Sequence, residues 1–229
     1  MRTSIATVCL SGSLEEKLRA SAAAGFDGVE IFEPDFVASP LSPELVAELA
    51  RDLGLTLDLY QPFRDFEGVA QGRLRQNLRR AEAKFELMNR LDIDTMLLCS
   101  NVGTAVSADD ALAVDQLRQL GDLAALHGVR VAYEALAWGR FVSDYEHAAR
   151  IVRAVDHPAV GHCLDSFHIL SRGSDLSTIA EIPAEKLLFV QLADAPAHQR
   201  VGGHRVGTAP GPVHDQDSQA GAGEQQRGS

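Results

Sequence analysis

Over its first 195 residues the chain alternates short apolar runs with amphipathic segments of helical period, and that alternation leaves few folds open. The apolar runs predict strands at Ser4–Leu10, Gly28–Phe32, Leu55–Tyr60, Thr95–Ser100, Val129–Glu134, Ala159–Asp165 and Leu187–Ala193. The segments between them carry helix signals. Ser13 with Glu16 three residues on is a capping box, and Leu14, Leu18 and Ala22 give that helix its stripe before Gly25 stops it. Ser42 followed by Pro43 opens the next helix, with Leu45, Leu49 and Leu53 expected to face inward. Asp144 opens a later one, carried by Tyr145, Ala148, Ile151, Val152 and Val155. Parallel neighbours need a crossover connection, so strand–helix alternation implies a parallel α/β sheet.

A doubly wound sheet and a closed barrel both satisfy this pattern. Two features favour the barrel. No glycine-rich phosphate loop follows the first strand. Polar, chemically useful residues end several strands rather than one or two: Glu134, Asp165 and Gln191. A barrel gathers all its strand ends around one mouth. The expected fold is therefore an α/β, (β/α)8 barrel, incomplete, with seven recognisable strands over residues 1–195.

The remaining segment, 196–229, contains no Leu, Ile, Phe, Tyr or Trp. A segment so poor in apolar residues cannot offset its ordering entropy, so a disordered tail is expected where an eighth strand would fall. The change of composition after Pro196 is abrupt, as a truncated barrel or a shifted reading frame would make it. His198, His204 and His214 in this segment have no metal-ligand spacing.

Charge and cysteine content narrow the function classes. The formal net charge of −11 disfavours nucleic acid and anionic membranes as partners, and no run of 18 apolar residues predicts a membrane span. Cys9, Cys99 and Cys163 form no paired motif, and the start of the chain has no cleavage-site pattern. Together these point to a cytoplasmic protein with reduced cysteines and a small-molecule substrate, as a monomer or an oligomer.

The three strand ends carry the chemistry. Ala132, Cys163 and Phe189 lie two residues before Glu134, Asp165 and Gln191, so side-chain alternation can aim each polar residue inward above an apolar one. Two carboxylates and an amide oxygen form a hard donor set that suits Mg2+, Mn2+ or Co2+. Each carboxylate could instead cap the following helix. His168 is the candidate acid/base, with a turn-stabilising role as the alternative. Arg64 could hold a substrate carboxylate, or pair with Asp65 or Glu67. Tyr60 is a further candidate substrate contact, and Trp138 either walls the pocket or packs.

Five segments also carry a resemblance. Residues 25–33 (GFDGVEIFE), 58–68 (DLYQPFRDFEG), 133–138 (YEALAW), 163–173 (CLDSFHILSRG) and 190–196 (VQLADAP) resemble the xylose-isomerase-like TIM barrels, and more narrowly the bacterial 3-dehydroshikimate dehydratases. The resemblance implies a metal-dependent lyase converting 3-dehydroshikimate to protocatechuate. It also implies Glu134, Asp165 and Gln191 as ligands, with a second Glu on strand eight; no segment here matches that strand, and Glu224 is the sole glutamate after Glu185. In related zinc barrels an Asp-x-x-His spacing supplies ligands, which leaves a ligand role open for His168. Competing readings are a sugar isomerase or epimerase on the same barrel and an inactive truncated product. A DNA-repair endonuclease on this fold is disfavoured by the acidic charge.

Overall fold

The structure, a computed structural model, describes residues 2–193. Its seven strands are β1 (Ser4–Ala6), β2 (Gly28–Phe32), β3 (Thr56–Phe63), β4 (Thr95–Cys99), β5 (Arg130–Glu134), β6 (Val160–Asp165) and β7 (Leu187–Gln191). They form one sheet in sequential order, every pair parallel. The connecting helices are α1 (Leu14–Ala23), α2 (Glu33–Ala38), α3 (Pro43–Asp52), α4 (Gln71–Leu91), α5 (Asp110–Leu126), α6 (Tyr145–Val155) and α7 (Ser166–Ser171).

Local signals set most boundaries. Ser13 and Glu16 make the reciprocal capping box of α1, and Gly25 takes the left-handed conformation just beyond it. Ser42 accepts from the Leu45 amide with Pro43 in the first turn of α3. Asp144 caps α6 by accepting from the His147 amide. The first strand is shorter than expected, because Thr7–Cys9 wind into a 3-10 turn. In α3 the buried stripe is Pro43, Val46, Ala47 and Ala50, and Leu45 is exposed. Of the three leucines expected to face inward, Leu49 and Leu53 pack against the core and Leu45 does not.

The helices cover one face of the sheet only. Outward strand residues such as Val29, Ile31, Met96, Leu98, Val131 and Val160 share a single apolar cluster with the helices. A separate cluster of Leu59, Leu97, Cys99, Ala132, Leu136 and Cys163, with Phe189 against it, fills the other face from strands and one loop. The sheet is curled around this second cluster. Glu30 on β2 and Gln191 on β7 are joined by a hydrogen bond of 2.5 Å. In a flat sheet, strands five positions apart would be separated by roughly 24 Å, beyond the reach of any two side chains. The architecture is that of a (β/α)8 barrel with seven strands among the described residues. The disordered tail expected over 196–229, with the place of an eighth strand, Glu224 and the three histidines, and the boundary at 195/196 lie outside the described residues.

Strand β3 departs from plain alternation. Val29 pairs with Leu57 but Glu30 pairs with Leu59, so an extra residue is accommodated at Asp58. Leu57 stays with the helix-facing cluster, Leu59 turns to the interior, and Tyr60 swings to the helix side. The strand also runs on through Pro62 to Phe63, where a loop was expected.

The core supports a direct test. Phe85 on α4 is fully buried in the helix-facing cluster. Phe85→Ala is expected to lower unfolding stability by about 3–5 kcal/mol, read as a lower urea midpoint. An unchanged midpoint would contradict this packing.

Candidate metal and substrate site

Glu134 ends β5, and its neighbours Ala132 and Tyr133 fix its direction: Ala132 belongs to the inner cluster and Tyr133 to the helix side. Glu134 therefore faces inward, where it is buried and accepts a hydrogen bond from the Cys99 thiol at 3.2 Å. Asp165 ends β6 and also caps α7, with one oxygen accepting from the Phe167 and His168 amides at 2.6 and 3.4 Å. One turn into α7, His168 brings its Nε2 to 3.8 Å from Glu134 Oε1. Donor atoms of Glu134, Asp165 and His168 all lie within 4.8 Å of one another. Both readings of Asp165 are thus physically compatible, because the cap occupies Oδ1 alone.

The tautomer of His168 follows from a neighbour. The Ala137 amide donates to His168 Nδ1 at 3.2 Å, and the Ala137 carbonyl accepts from Arg172 at 3.0 Å, which clamps that loop to α7. A neutral imidazole has one lone pair, so with Nδ1 accepting, the proton resides on Nε2. Nε2 then faces Glu134 as a donor and has no lone pair to give a cation. Burial, partly opposed by Asp165 and aided by Arg64, lowers the His168 pKa and keeps the ring neutral. Trp138 sets its ring edge-on to His168 at 4.8 Å between centroids while remaining half exposed, so it walls the site.

Gln191 is in register with Asp165 on the adjacent strand. Its amide nitrogen is held by Glu30 at 2.5 Å, and the same Glu30 oxygen accepts from the Gln61 amide at 2.7 Å. Arg64 is exposed on the loop after β3 and makes no ion pair among the described residues. Its charge reaches the cluster, lowering the pKa of both Glu134 and His168. The alternatives for Arg64 are absent here. Asp65 instead accepts from the Val102 and Gly103 amides, and buried Glu67 accepts from the Asn101 amide at 2.6 Å and the Tyr133 hydroxyl at 3.0 Å. These contacts pin the Arg64 loop to the loop after β4.

Tyr60 is a correction. It is buried on the helix side, its hydroxyl donating to Glu33 at 3.1 Å, because the bulge at Asp58 reverses its direction. Gln61, the next residue, faces the interior in its place. Glu30 and Glu67 were missed by sequence reasoning. A glutamate between Val29 and Ile31 in a strand buried on both faces was a usable signal for Glu30; Glu67 lies in an irregular loop and offered none.

Burial is the largest cause raising Glu30, Glu67 and Glu134 each to about 7, and Asp165 adds repulsion on Glu30 and Glu134. Glu134 and Asp165, inward-facing carboxylates that repel one another with Arg64 as the adjacent cation, form oxygen donors that fit a divalent cation.

Several comparisons with known proteins bear on this site. A family model described as xylose isomerase-like TIM barrel matches residues 18–224. A 3-dehydroshikimate dehydratase of Pseudomonas putida is 55% identical over 196 residues, 86% of this chain and 31% of that protein. A solved xylose isomerase-like TIM barrel/4-hydroxyphenylpyruvate dioxygenase fusion protein superposes with a TM-score of 0.85 at 55% identity, over 86% of this chain and 32% of the other. The IOLI protein, crystallised with a bound zinc atom, shares the fold at 21% identity and a TM-score of 0.75, over 86% of this chain and 75% of the other. This chain thus spans about a third of the length of the dehydratase it matches at 55% identity.

The raised carboxyls set a pH dependence. A carboxyl with a folded pKa near 7 and an ordinary value of 4.5 binds more protons folded than unfolded between those values. Stability of the metal-free chain should therefore fall as pH rises from about 5 to 7.5, on the order of 1–3 kcal/mol per group. Urea midpoints read this. Glu134→Gln should flatten part of the slope, and Mn2+ should offset it; a flat wild-type profile would refute the assignment.

Proposed function

Because the chain belongs to the xylose isomerase-like TIM barrel family, we propose that it carries the lyase site that dehydrates 3-dehydroshikimate to protocatechuate. The observation that carries this reading is the convergence of Glu134, Asp165 and His168 within 4.8 Å, in a chain 55% identical to a 3-dehydroshikimate dehydratase over 196 residues. Glu134, Asp165 and the Gln191 amide oxygen are the proposed ligands of Mg2+, Mn2+ or Co2+, hard cations matched to oxygen donors. When bound, such a cation acts as a Lewis acid that acidifies the C–H beside the substrate ketone.

The chain's own groups do the remaining work. Arg64, exposed beside the cluster and without an ion-pair partner among the described residues, takes the substrate carboxylate with its paired N–H donors. His168 presents its Nε2 proton to a substrate oxygen, because Ala137 occupies Nδ1. The carbon gives up its proton and the departing hydroxyl takes one up, so water leaves and the ring gains its double bond with no net change at His168, whose Nε2–H holds the departing oxygen by a hydrogen bond. Trp138 and Phe167 wall the ring against the imidazole.

The reading includes a cytoplasmic setting, supported by buried free thiols at Cys99 and Cys163, and small-molecule rather than nucleic-acid partners, supported by the net charge of −11. Among the described residues no helix is long and apolar enough to cross a membrane.

Formation of protocatechuate from 3-dehydroshikimate, followed by product absorbance, tests the proposal. Activity should vanish with a chelator and return with Mn2+. His168→Asn should lower kcat by about 10²–10⁴ with KM little changed. Turnover of a ketose without turnover of 3-dehydroshikimate would replace the dehydratase with an isomerase.

A further inference from the structure

Gln191 can serve a cation only through its carbonyl oxygen, since its amide nitrogen carries two protons and no available lone pair. A glutamine free to rotate about its last torsion presents nitrogen and oxygen about equally, the torsion being broad and roughly two-fold. Here that freedom is removed. Glu30, buried between Val29 and Ile31 on β2, places one carboxylate oxygen 2.5 Å from Gln191 Nε2 and 2.7 Å from Gln61 Nε2. That one oxygen accepts from both nitrogens, so it holds the N–H side of each amide toward Glu30. The Gln191 nitrogen is thereby turned to Glu30, and the oxygen is the atom left for whatever lies on the amide's other side. Asp165, in register with Gln191 on the neighbouring strand, lies close enough to Glu30 for their charges to repel. Among the described residues, this is also the hydrogen bond that links β2 to β7 across the curl.

We propose that Glu30 is a positioning residue that orients the Gln191 amide, so that its oxygen rather than its nitrogen is presented to the metal. The proposal rests on the reading of Gln191 as an oxygen ligand. Glu30 itself contributes no bond to the cation; it acts through Gln191, with Gln61 completing its own hydrogen bonding. Outer partners of this kind typically govern metal affinity by 10–100-fold.

The test is a double-mutant cycle on the full chain, with Mn2+ affinity measured by calorimetry and checked by the Mn2+ paramagnetic resonance signal. Circular dichroism melts accompany each variant. Glu30→Ala is expected to weaken Mn2+ binding about 10–100-fold. Glu30→Gln, the variant more certain to fold, should also weaken it, because its amide can donate to the Gln191 oxygen and draw it off the metal. In a Gln191→Glu background the effect should reverse. A carboxylate ligand offers oxygen on both sides and is repelled by Glu30, so removing Glu30 there should leave affinity unchanged or raise it. A role confined to fold stability or overall negative charge predicts the same loss in both backgrounds, and that result would overturn the proposal. So would unchanged Mn2+ affinity in both Glu30 variants while Gln191→Ala binds weakly, which leaves the ligand reading intact. If Gln191→Ala binds as the wild type does, or the wild type binds no Mn2+, the ligand reading fails and this inference fails with it.

Discussion

Placing every helix on one face of a parallel sheet obliges the other face to bury itself. Parallel strands are apolar on both sides, and the uncovered side cannot be left to water. Curling solves this, because the inner side chains of successive strands then pack on one another. The interior is filled by medium and small residues such as Leu97, Cys99, Ala132 and Cys163, which fit a narrowing space. The same curl draws the carboxyl ends of β2 through β7 toward a common mouth. Without it Glu30 and Gln191 could not meet, whereas Glu134, Asp165 and His168 are brought together by adjacent strands and the helix that follows them.

The mouth so formed is electrostatically costly. Glu30 and Glu134 face the interior, desolvated and in each other's field and that of Asp165. Their raised pKa values express a tension that a cation relieves and that an apolar core would not carry. The neighbouring groups limit the cost without removing it. Cys99 donates to Glu134, the α7 amides donate to Asp165, and two glutamine amides donate to Glu30. Arg64 adds positive charge from outside, on a loop held by Asp65 and Glu67 rather than by contact with the cluster. Rigid donors around a deficit of positive charge are what the proposed cation site requires.

Much of this was legible before any coordinates. Strands β2 and β5 fall within a residue of their expected limits, and the caps at Ser13, Ser42 and Asp144 function as their spacing implied. The inward direction of Glu134 followed from alternation with Ala132. Short-range rules sufficed there because caps and pleats are decided by residues within a few positions of one another. They failed where an extra residue entered a strand. The bulge at Asp58 depends on how β3 pairs with β2, and it sent Tyr60 to the helices and Gln61 to the interior.

The amino-acid order alone therefore determined the parallel α/β class, the starts of α1, α3 and α6, and the two carboxylates and one amide at the ends of β5, β6 and β7. Each is a local property of pattern or chemistry. Tertiary structure decided which of those groups meet, that His168 carries its proton on Nε2, and that Glu30 governs the Gln191 amide. These depend on contacts such as Ala137 with His168, 31 residues apart, and Glu30 with Gln191, 161 apart. No local pattern encodes a hydrogen bond that exists only because the sheet closes on itself.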